Sequence, residues 1–357
     1  MMYYYLIFFL SSCLSLFGNW RHRNIVSYIL ITVLVLFAGT RLDIDADYFM
    51  YYKNFQYIEK TPEDFKARLI TLEWCMYFFP HFFELFSSSK IEIIRASFFA
   101  FAFFGVVTKI VAMKKFAEFF FLSIILYVSN LYFMQEMTTI RSGVAAGIFI
   151  LALDDLDKKN NKGFLIKLLC CFFFHSSSIL FLIPWIALKF KINIKFYYFT
   201  AIVSLALAML KVNVLTLLFL DRIFPRVEGY IKAMEWMKEK EANIFNFKAL
   251  FAILIIILFG LFYKKMKDVQ YFDTLFKIHI ISLSLFFLLS GSAQVFSIRT
   301  FEMFSIIQCL LYPLIVHIFP KKMKIFGWVI IILFSLIQIY YIIDVADIYE
   351  PYETWFF

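Results

Sequence analysis

Apolar stretches of membrane-spanning length alternate with short polar links along the whole chain. A transmembrane helix needs about 20 mainly apolar residues, and runs of that kind recur from end to end. The pattern predicts an all-α fold, a polytopic transmembrane helix bundle of about twelve membrane elements, forming a single integral membrane domain over residues 1–357. The apolar segments lie near residues 2–18, 25–40, 70–86, 93–113, 116–134, 141–155, 163–188, 196–219, 247–263, 272–290, 300–319 and 325–343.

The charges in the links predict which side of the membrane each link faces. Lysine and arginine gather in short links, and by the positive-inside rule such links are cytoplasmic. Two long, nearly charge-balanced loops, about 41–68 and 220–246, and an acidic C-terminal tail are therefore expected on the external side. The basic links are Arg21–Arg23, Asp157–Lys162, Lys189–Lys195, Lys264–Lys267 and Lys321–Lys324.

Two places do not fit a simple count of crossings. Segment 163–188 has basic links at both ends, which predicts a broken or re-entrant pair turning near His175. Segments 70–86 and 93–113 raise a second conflict. If both cross, Lys114 and Lys115 become external unless segment 116–134 is also broken.

Composition narrows the class of protein and excludes several functions. A hydrophobic fraction of 63% and a mean hydropathy of +0.80 are typical of an integral membrane protein. The net charge of +9 lies in lysine clusters beside helices, so it indicates topology and no nucleic-acid partner. The five cysteines fall in apolar runs without metal-ligand spacing, and phosphate-loop and dinucleotide motifs are absent, so we expect no metal and no cofactor. We expect residues 2–18 to be a retained first helix.

Arginines at segment ends are the first candidates for binding an anionic ligand. A guanidinium presents a planar fork that pairs with phosphate oxygens. Arg141 opens a segment in which Gly143 and Gly147 follow at four-residue spacing, a pattern typical of close helix packing. The alternative is a structural ion pair of Arg141 with a carboxylate such as Glu136. Arg41 and Arg299 also lie where external stretches meet apolar segments.

A carboxylate and a histidine are candidates for taking a proton from a hydroxyl group. Asp47 lies in the stretch "AGTRLDIDADYFMYYKNF" and is slightly favoured, because an exposed loop can be reached by a sugar. His175 is the second choice, and its alternative role is that of a buried, hydrogen-bonded histidine. In loop 220–246, Arg222, Arg226 and Tyr230 suit sugar or phosphate contacts, and an amphipathic interfacial helix is the alternative.

Several short motifs in a fixed order resemble those of the EpsG family of polysaccharide proteins, within the Wzy-type polymerases. Three departures are visible: Asp45 stands where the family usually has glycine, Ser142 replaces glutamine, and Phe301 replaces tyrosine. The matching residues, from about 25 to 320, are Arg41, Asp47-Tyr48, Tyr51 or Tyr52, Phe55, Glu73, Arg141-Ser142-Gly143, Lys158-Lys159, His175-Ser176 and Arg299.

The resemblance implies a metal-independent glycosyltransferase in the bacterial inner (plasma) membrane. It would polymerise polyprenyl-pyrophosphate-linked oligosaccharide repeat units on the outer face during O-antigen, capsule or exopolysaccharide synthesis. Arg141 and Arg299, with Arg41 third, would bind pyrophosphate, and Asp47 or His175 would be the base. Weaker sugar contacts would come from Tyr48, Tyr52, Glu73, Arg222, Arg226 and Tyr230. Expected partners are membrane lipid, a chain-length regulator and a flippase.

Three other functions stay open at this point. A flippase or other transporter of lipid-linked sugars needs charges along a path reaching both faces, whereas here the candidates crowd on one face. A non-catalytic scaffold of a polysaccharide assembly complex would tolerate loss of Arg141 and Arg299. A membrane acyltransferase needs a path for acyl-CoA to its histidine.

Overall fold

The structure is a computed structural model that describes residues 1–18, 21–56, 73–190, 192–219, 243–292, 294–346 and 348–356. Much of the two predicted external loops lies outside the described residues. So do three of the weaker site predictions, Arg222, Arg226 and Tyr230. The following description is confined to the ranges given above.

Helices account for most of the first half of the chain. The described residues contain no strand, only two isolated antiparallel bridges, Arg41–Thr354 and Asp45–Tyr349. The helices up to residue 181 are α1 (Met2–Leu16), α2 (Arg23–Gly39), α3 (Tyr48–Gln56), α4 (Trp74–Glu84), α5 (Lys90–Phe116), α6 (Phe120–Leu126) with π-helical turns at Tyr127–Tyr132 and Met134–Thr138, α7 (Ile140–Leu151), α8 (Leu153–Asp157), α9 (Asn161–Phe174) and the 3₁₀ helix Ser176–Phe181.

The second half is also helical. Its elements are α10 (Leu182–Lys189), α11 (Ile194–Met209), α12 (Val214–Leu217), α13 (Phe247–Leu261), α14 (Tyr263–Met266), α15 (Phe272–Ser290), α16 (Gln294–Phe304), the 3₁₀ turn Ser305–Ile307, α17 (Gln308–Leu311), the 3₁₀ stretches Tyr312–His317 and Lys321–Met323, α18 (Lys324–Tyr340) and the π-helical turn Tyr341–Val345.

Four of the described helical stretches are long and apolar enough to cross a membrane. Several shorter apolar helices accompany them. This composition supports the predicted helical membrane bundle, while a total of about twelve membrane elements stays a prediction. The four stretches are Lys90–Phe116, Phe272–Ser290, Gln294–His317 and Lys321–Val345.

The chain divides into two compact units. The first contains residues 1–181 and 312–357, and the second contains residues 182–311. In the second unit α15 is the central helix and packs against α11, α13 and α16. Near its start Asp273 accepts a hydrogen bond from Tyr263 and pairs with Lys277 at 2.6 Å. A single integral membrane domain over residues 1–357 stays a prediction.

Basic residues gather at one end of the first unit, which we call the basic end. The Arg23 guanidinium donates to the carbonyl oxygens of Lys114 and Ala117, at 3.3 and 3.4 Å. Lys115 pairs with Asp154 at 2.6 Å, and Asp154 in turn pairs with Lys158 at 3.3 Å. Two of the links that the positive-inside rule assigns to the cytoplasm, Arg21–Arg23 and Asp157–Lys162, therefore lie at the same end of this unit.

Helices α4 and α5 correspond to the two segments, 70–86 and 93–113, for which the sequence leaves the number of crossings open. Helix α4 has 11 residues and begins at Trp74, so it is about 16 Å long, roughly half the thickness of a bilayer core. Helix α5 has 27 residues and carries Lys114 and Lys115 to the basic end. Lys114 and Lys115 thus lie with other basic residues, and the number of crossings in this region stays a prediction.

The predicted break in segment 163–188 is confirmed. Helix α9 ends at Phe174, and His175 has an extended backbone with φ −152° and ψ 119°. A 3₁₀ helix, Ser176–Phe181, follows at once. The break leaves the side chain of His175 at the end of a helix, next to backbone that has left the α-helical path.

Candidate functional site

The C-terminal residues 348–356, which we call the C-terminal strap, lie along residues 40–45 at the end of the first unit opposite the basic end. We call this the strap end. Backbone hydrogen bonds join Leu42 to Glu353 at 3.0 Å, Glu350 to Ile44 at 3.1 Å and Trp355 to Thr40 at 3.1 Å. The Tyr352 ring stacks on Phe37 with centroids 4.0 Å apart. The strap therefore holds the chain leading to Asp47 and α3.

Arg41 is buried beneath this strap, with 1% of its surface exposed. Its guanidinium donates to the carbonyl oxygens of Ala38, at 2.8 Å, and Met137, and its Nε lies 3.4 Å from an Asp45 carboxylate oxygen. The same group lies over the Phe98 ring, 4.9 Å from its centroid. These contacts join α2, the loop after it and the π-helical turn before α7.

Asp45 occupies the position where the family usually has glycine, and it does not adopt a left-handed backbone. Its carboxylate accepts a hydrogen bond from the Asp47 backbone N–H at 3.1 Å and pairs with Arg41. A side chain that bonds to the backbone two residues ahead forms a turn by itself. The loop thus turns with an aspartate in place of the expected glycine.

Helix α3 begins directly after Asp47, whose side chain is half-buried. Tyr48 stacks on Phe98 of α5, with centroids 4.7 Å apart, and Tyr52 stays partly exposed one turn later. Residues four apart share a face of a helix, so Asp47 and Tyr51 lie on one side. Tyr51 is the residue of α3 that reaches Arg141.

Five side chains from four parts of the first unit meet around Glu73, and we call them the Glu73 cluster. The Glu73 carboxylate forms an ion pair with Arg141 and lies 3.3 Å from Nδ1 of His175. The Ser176 hydroxyl donates to Glu73 at 3.4 Å. Tyr51 lies beneath Arg141, with the guanidinium carbon 5.5 Å from the ring centroid, and accepts a hydrogen bond from Nε at 3.4 Å.

The cluster is buried on one side and open on the other. The Glu73 side chain is 5% exposed, whereas Arg141 is 21% and His175 is 20% exposed. Burial alone would raise the pKa of Glu73, but the His175 imidazole, 3.3 Å away, and the Arg141 charge outweigh burial and lower the pKa to about 2. Glu73 is therefore a carboxylate at neutral pH, and it offers negative charge to both neighbours.

Local packing explains how Glu73 and His175 come together. Glu73 lies just before α4, and in the first turn of that helix the Cys75 thiol donates to the Phe174 carbonyl oxygen at 3.3 Å. Phe174 is the last residue of α9, directly before His175. The break at the end of α9 and the start of α4 are thus held side by side.

The position of Arg141 depends on close contacts of α7 with its neighbours. A Cβ atom on Gly147 would collide with Thr108 of α5, and one on Gly143 would collide with the Gln135 carbonyl oxygen. The predicted close packing face at Gly143 and Gly147 is confirmed. A bulkier residue at Gly147 would push α7 away from α5, and one at Gly143 would push it away from the π-helical turn before it.

Arg141 does form an ion pair with a carboxylate, as the alternative predicts, but its partner is Glu73 and not Glu136. The Glu136 carboxylate pairs with Lys109 inside the unit, and the Tyr127 hydroxyl donates to it at 2.9 Å. Lys109 also donates to the Gly143 carbonyl oxygen at 2.7 Å. Buried charges need such partners, because burial of a lone charge is costly. Arg141 therefore takes its carboxylate from the distant Glu73.

Arg299 belongs to the second unit, in α16. Its guanidinium lies 3.9 Å from the Glu302 carboxylate, and its side chain is 39% exposed. A shared site of Arg299 and Arg141 stays a prediction. Among the residues that the structure describes, no three histidine, cysteine, aspartate or glutamate side chains are grouped so that they could hold a metal ion.

Comparison with protein families agrees with the motifs from which the resemblance was drawn. The EpsG family model matches residues 24–354, nearly the whole chain. The chain belongs to the EpsG family. This EpsG-family protein is thus a helical membrane protein of a Wzy-type polymerase-like family with a role in exopolysaccharide biosynthesis. Searches of curated proteins and of solved structures returned no match.

Sequence reasoning found most members of this EpsG-family cluster but not their arrangement. Glu73 was expected only as a weak sugar contact, and Tyr51 only as an alternative to Tyr52. The sequence predicts Ser176 as a hydrogen-bond partner of His175, whereas its hydroxyl donates to Glu73. One signal was available: Asp47, Tyr51 and Phe55 recur every four residues and therefore share one face of a helix.

Proposed function

We propose that this protein joins oligosaccharide repeat units that are carried on polyprenyl pyrophosphate, at the outer face of the bacterial inner membrane. The observation that carries the proposal is the Glu73 cluster, which combines a guanidinium and an imidazole on one carboxylate with one side open. By the positive-inside rule the basic end faces the cytoplasm, so the strap end faces outward. The product would be O-antigen, capsule or exopolysaccharide.

The proposed reaction transfers a glycan from one lipid carrier to another. A hydroxyl oxygen of the acceptor unit attacks the anomeric carbon of the donor sugar and forms the new glycosidic bond. The bond between that carbon and the pyrophosphate oxygen breaks, and the bonding electrons leave with polyprenyl pyrophosphate. The proton of the acceptor hydroxyl passes to a base on the protein, so atoms and charge balance.

Arg141 is the residue that stabilises the departing pyrophosphate in this proposal. Negative charge grows on the pyrophosphate as its bond to the sugar breaks, and a fixed guanidinium stabilises that charge most when it is already oriented. Glu73 and Tyr51 hold Arg141 in place. Arg299 stays the second pyrophosphate candidate. We assign Arg41 to bracing the loop, since three protein groups already occupy its guanidinium.

His175 is the base that the cluster favours over Asp47. A proton on Nδ1 directed at Glu73 leaves a lone pair on Nε2, the arrangement that a general base needs. Glu73 would also stabilise the imidazolium ion formed after proton transfer. Asp47, the first choice from the sequence, lies on the same face of α3 as Tyr51. We assign it, with Tyr48 and Tyr52, to positioning the acceptor sugar.

The test is elongation by the purified protein alone. Lipid-linked repeat units are placed on the outer leaflet of liposomes containing the full chain, and the length of lipid-linked glycan is measured in a single turnover. The proposal expects dimers and longer products together with released polyprenyl pyrophosphate. Neither a metal nor a nucleotide should be required. Elongation should therefore continue when a chelator is present and when no nucleotide is added.

The same assay separates the other functions. Movement of lipid-linked units across the bilayer without elongation would show a flippase, and neither movement nor elongation would leave the scaffold role. Either result would overturn the polymerase proposal. A flippase and a chain-length regulator are expected as cellular partners, and adding a regulator should change the length of the product but not the presence of elongation.

A further inference from the structure

A second candidate site lies in the first unit, in an apolar groove along the surface of α5. The groove has a volume of about 590 Å³. Its walls are rings from α4 and α5, with Arg95 and Trp355 at the end towards the C-terminal strap. The rings are Phe83, Phe99, Phe103 and Phe104.

The polarity of the groove changes along its length. Arg95 and Phe104 are nine residues apart on α5, a rise of about 14 Å. At the strap end the Arg95 guanidinium lies over the Trp355 ring, 4.7 Å from its centroid. Glu92 also lines this end, and its carboxylate accepts a hydrogen bond from Ser87. Further along, only apolar side chains remain.

An apolar furrow with a cation at its outer end fits one chain of a lipid that has a phosphate headgroup. Arginine and tryptophan are the side chains expected at the level of lipid headgroups, and the rings below lie at the depth of hydrocarbon. A carbohydrate or a peptide would leave polar groups unpaired against the phenylalanines. The charge of Arg95 selects an anionic headgroup over a zwitterionic or neutral one.

The two helices that line the groove also contact the parts of the chain that carry the Glu73 cluster. Helix α4 begins just after Glu73 and carries Phe83 to the groove wall, about 15 Å further along the helix. Helix α5 carries Arg95 and Phe99 in the groove and Phe98, which stacks on Tyr48 of α3. A lipid in the groove would therefore lie against α4 and α5, with its headgroup at the Arg95 end.

We propose that the groove binds the polyprenyl chain of the acceptor substrate, with the phosphate adjoining its lipid next to Arg95. This inference rests on the proposed polymerase reaction, which uses two lipid-linked substrates and releases the carrier of only one. Arg141 serves the pyrophosphate that leaves. Arg95 then serves the lipid carrier that is retained while its sugar is elongated.

The test uses full-length protein in nanodiscs and a photoreactive polyprenyl phosphate that carries no sugar. Labelled peptides are located by mass spectrometry, and binding is measured by titration. We expect adducts between residues 92 and 104. Ala96→Trp, which fills the groove, and Arg95→Gln should each weaken binding about tenfold. The matched control for Ala96→Trp is Val111→Trp, at a position on the surface of α5 that is 40% exposed and lies outside the groove. The matched control for Arg95→Gln is Lys90→Gln, at the start of the same helix.

A kinetic measurement separates this inference from the proposed function. In the liposome assay Ala96→Trp should raise the KM for the acceptor about tenfold with kcat unchanged. Normal elongation with no change in KM or binding would overturn the groove assignment and leave the polymerase proposal standing. Equal labelling by photoreactive phosphatidylglycerol would show a general lipid contact and also overturn it. Absence of elongation by the unmodified protein would overturn the proposed function itself.

Discussion

Glu73 holds two nitrogen-bearing side chains at once, through one oxygen to Arg141 and the other to His175. A carboxylate shared in this way fixes the orientation of both partners, because each of its oxygens has a separate direction of hydrogen bonding. The open sides of the two partners are then the parts that can meet a substrate. The residue-scale predictions follow from this division of roles.

Arg141→Lys keeps the positive charge but loses the planar fork that pairs with pyrophosphate. We expect normal amounts of folded protein and a rate of elongation lower by about 100-fold, as is typical when one preoriented donor to a developing negative charge is lost. The measurement is single-turnover elongation. Arg21→Lys, the same change at an exposed residue near the basic end, is the control. An unchanged rate for Arg141→Lys would exclude a bidentate role.

His175→Gln and Asp47→Asn distinguish the two candidate bases. Glutamine keeps a polar group near Glu73 but cannot accept a proton at neutral pH, so we expect its rate to fall by about 100-fold or more. Asp47→Asn keeps hydrogen bonding to a sugar, and we expect chiefly a raised KM for the acceptor. Each variant is purified and assayed in liposomes of the same lipid composition. The reverse result, a lost rate with Asp47→Asn alone, would restore Asp47 as the base.

At the scale of elements, the C-terminal strap determines the path of the chain between α2 and α3. Its three backbone hydrogen bonds to residues 40–44 and the ring stack of Tyr352 on Phe37 are the main contacts. Each hydrogen bond contributes about 1 kcal/mol, and the ring pair adds a similar amount. The strap therefore stabilises this loop by a few kcal/mol locally, while the helices keep their own packing.

Removal of residues 347–357 should release residues 40–47 without unfolding the helices. We expect unchanged helix content by circular dichroism, faster proteolysis within residues 40–47 and a loss of elongation, because Asp47 and Tyr51 lose their support. A chain ending at Trp355 keeps the three backbone hydrogen bonds and is the matched control. Equal protease resistance of residues 40–47 in the two truncated chains would contradict this role of the strap.

At the scale of the molecule, the basic end of the first unit and the Glu73 cluster lie apart from each other. Arg23, Lys115 and Lys158 lie at the basic end, whereas the Glu73 cluster and the C-terminal strap lie away from it. The positive-inside rule then orients the unit with its basic end in the cytoplasm. A substrate presented on the outer face would reach the Glu73 cluster and not the basic end.

Cysteine labelling of intact cells tests this orientation. In a cysteine-free background, single cysteines at Asp43, Lys238 and Glu353 should react with a reagent that does not cross the membrane. Cysteines at Lys158 and Lys322 should react only after permeabilisation. Labelling at Asp43 and Glu353 only after permeabilisation would place the Glu73 cluster at the cytoplasmic side and contradict the proposed function.

The helical fold class, the basic links and the break at His175 could all be predicted without a structure. These features depend on the apolar character of each segment and on local charge. Both are properties of neighbouring residues and do not depend on contacts with distant segments. The EpsG motifs, spread from Arg41 to Arg299, are also visible in the sequence alone. The position of Glu73 beside His175 is not, because it depends on contacts between segments that are far apart in the chain.

The pairing of each buried cation with its carboxylate depends on how the helices pack. Glu136 is five positions from Arg141, yet it pairs with Lys109, and Arg141 pairs with Glu73, 68 positions away. The physical reason is packing. Gly105 leaves room for the Glu136 carboxylate against α5, and the Cys75 contact with Phe174 brings Glu73 to the end of α9. Distances of this kind depend on how helices pack together, and that packing is not encoded in the spacing of residues along the chain.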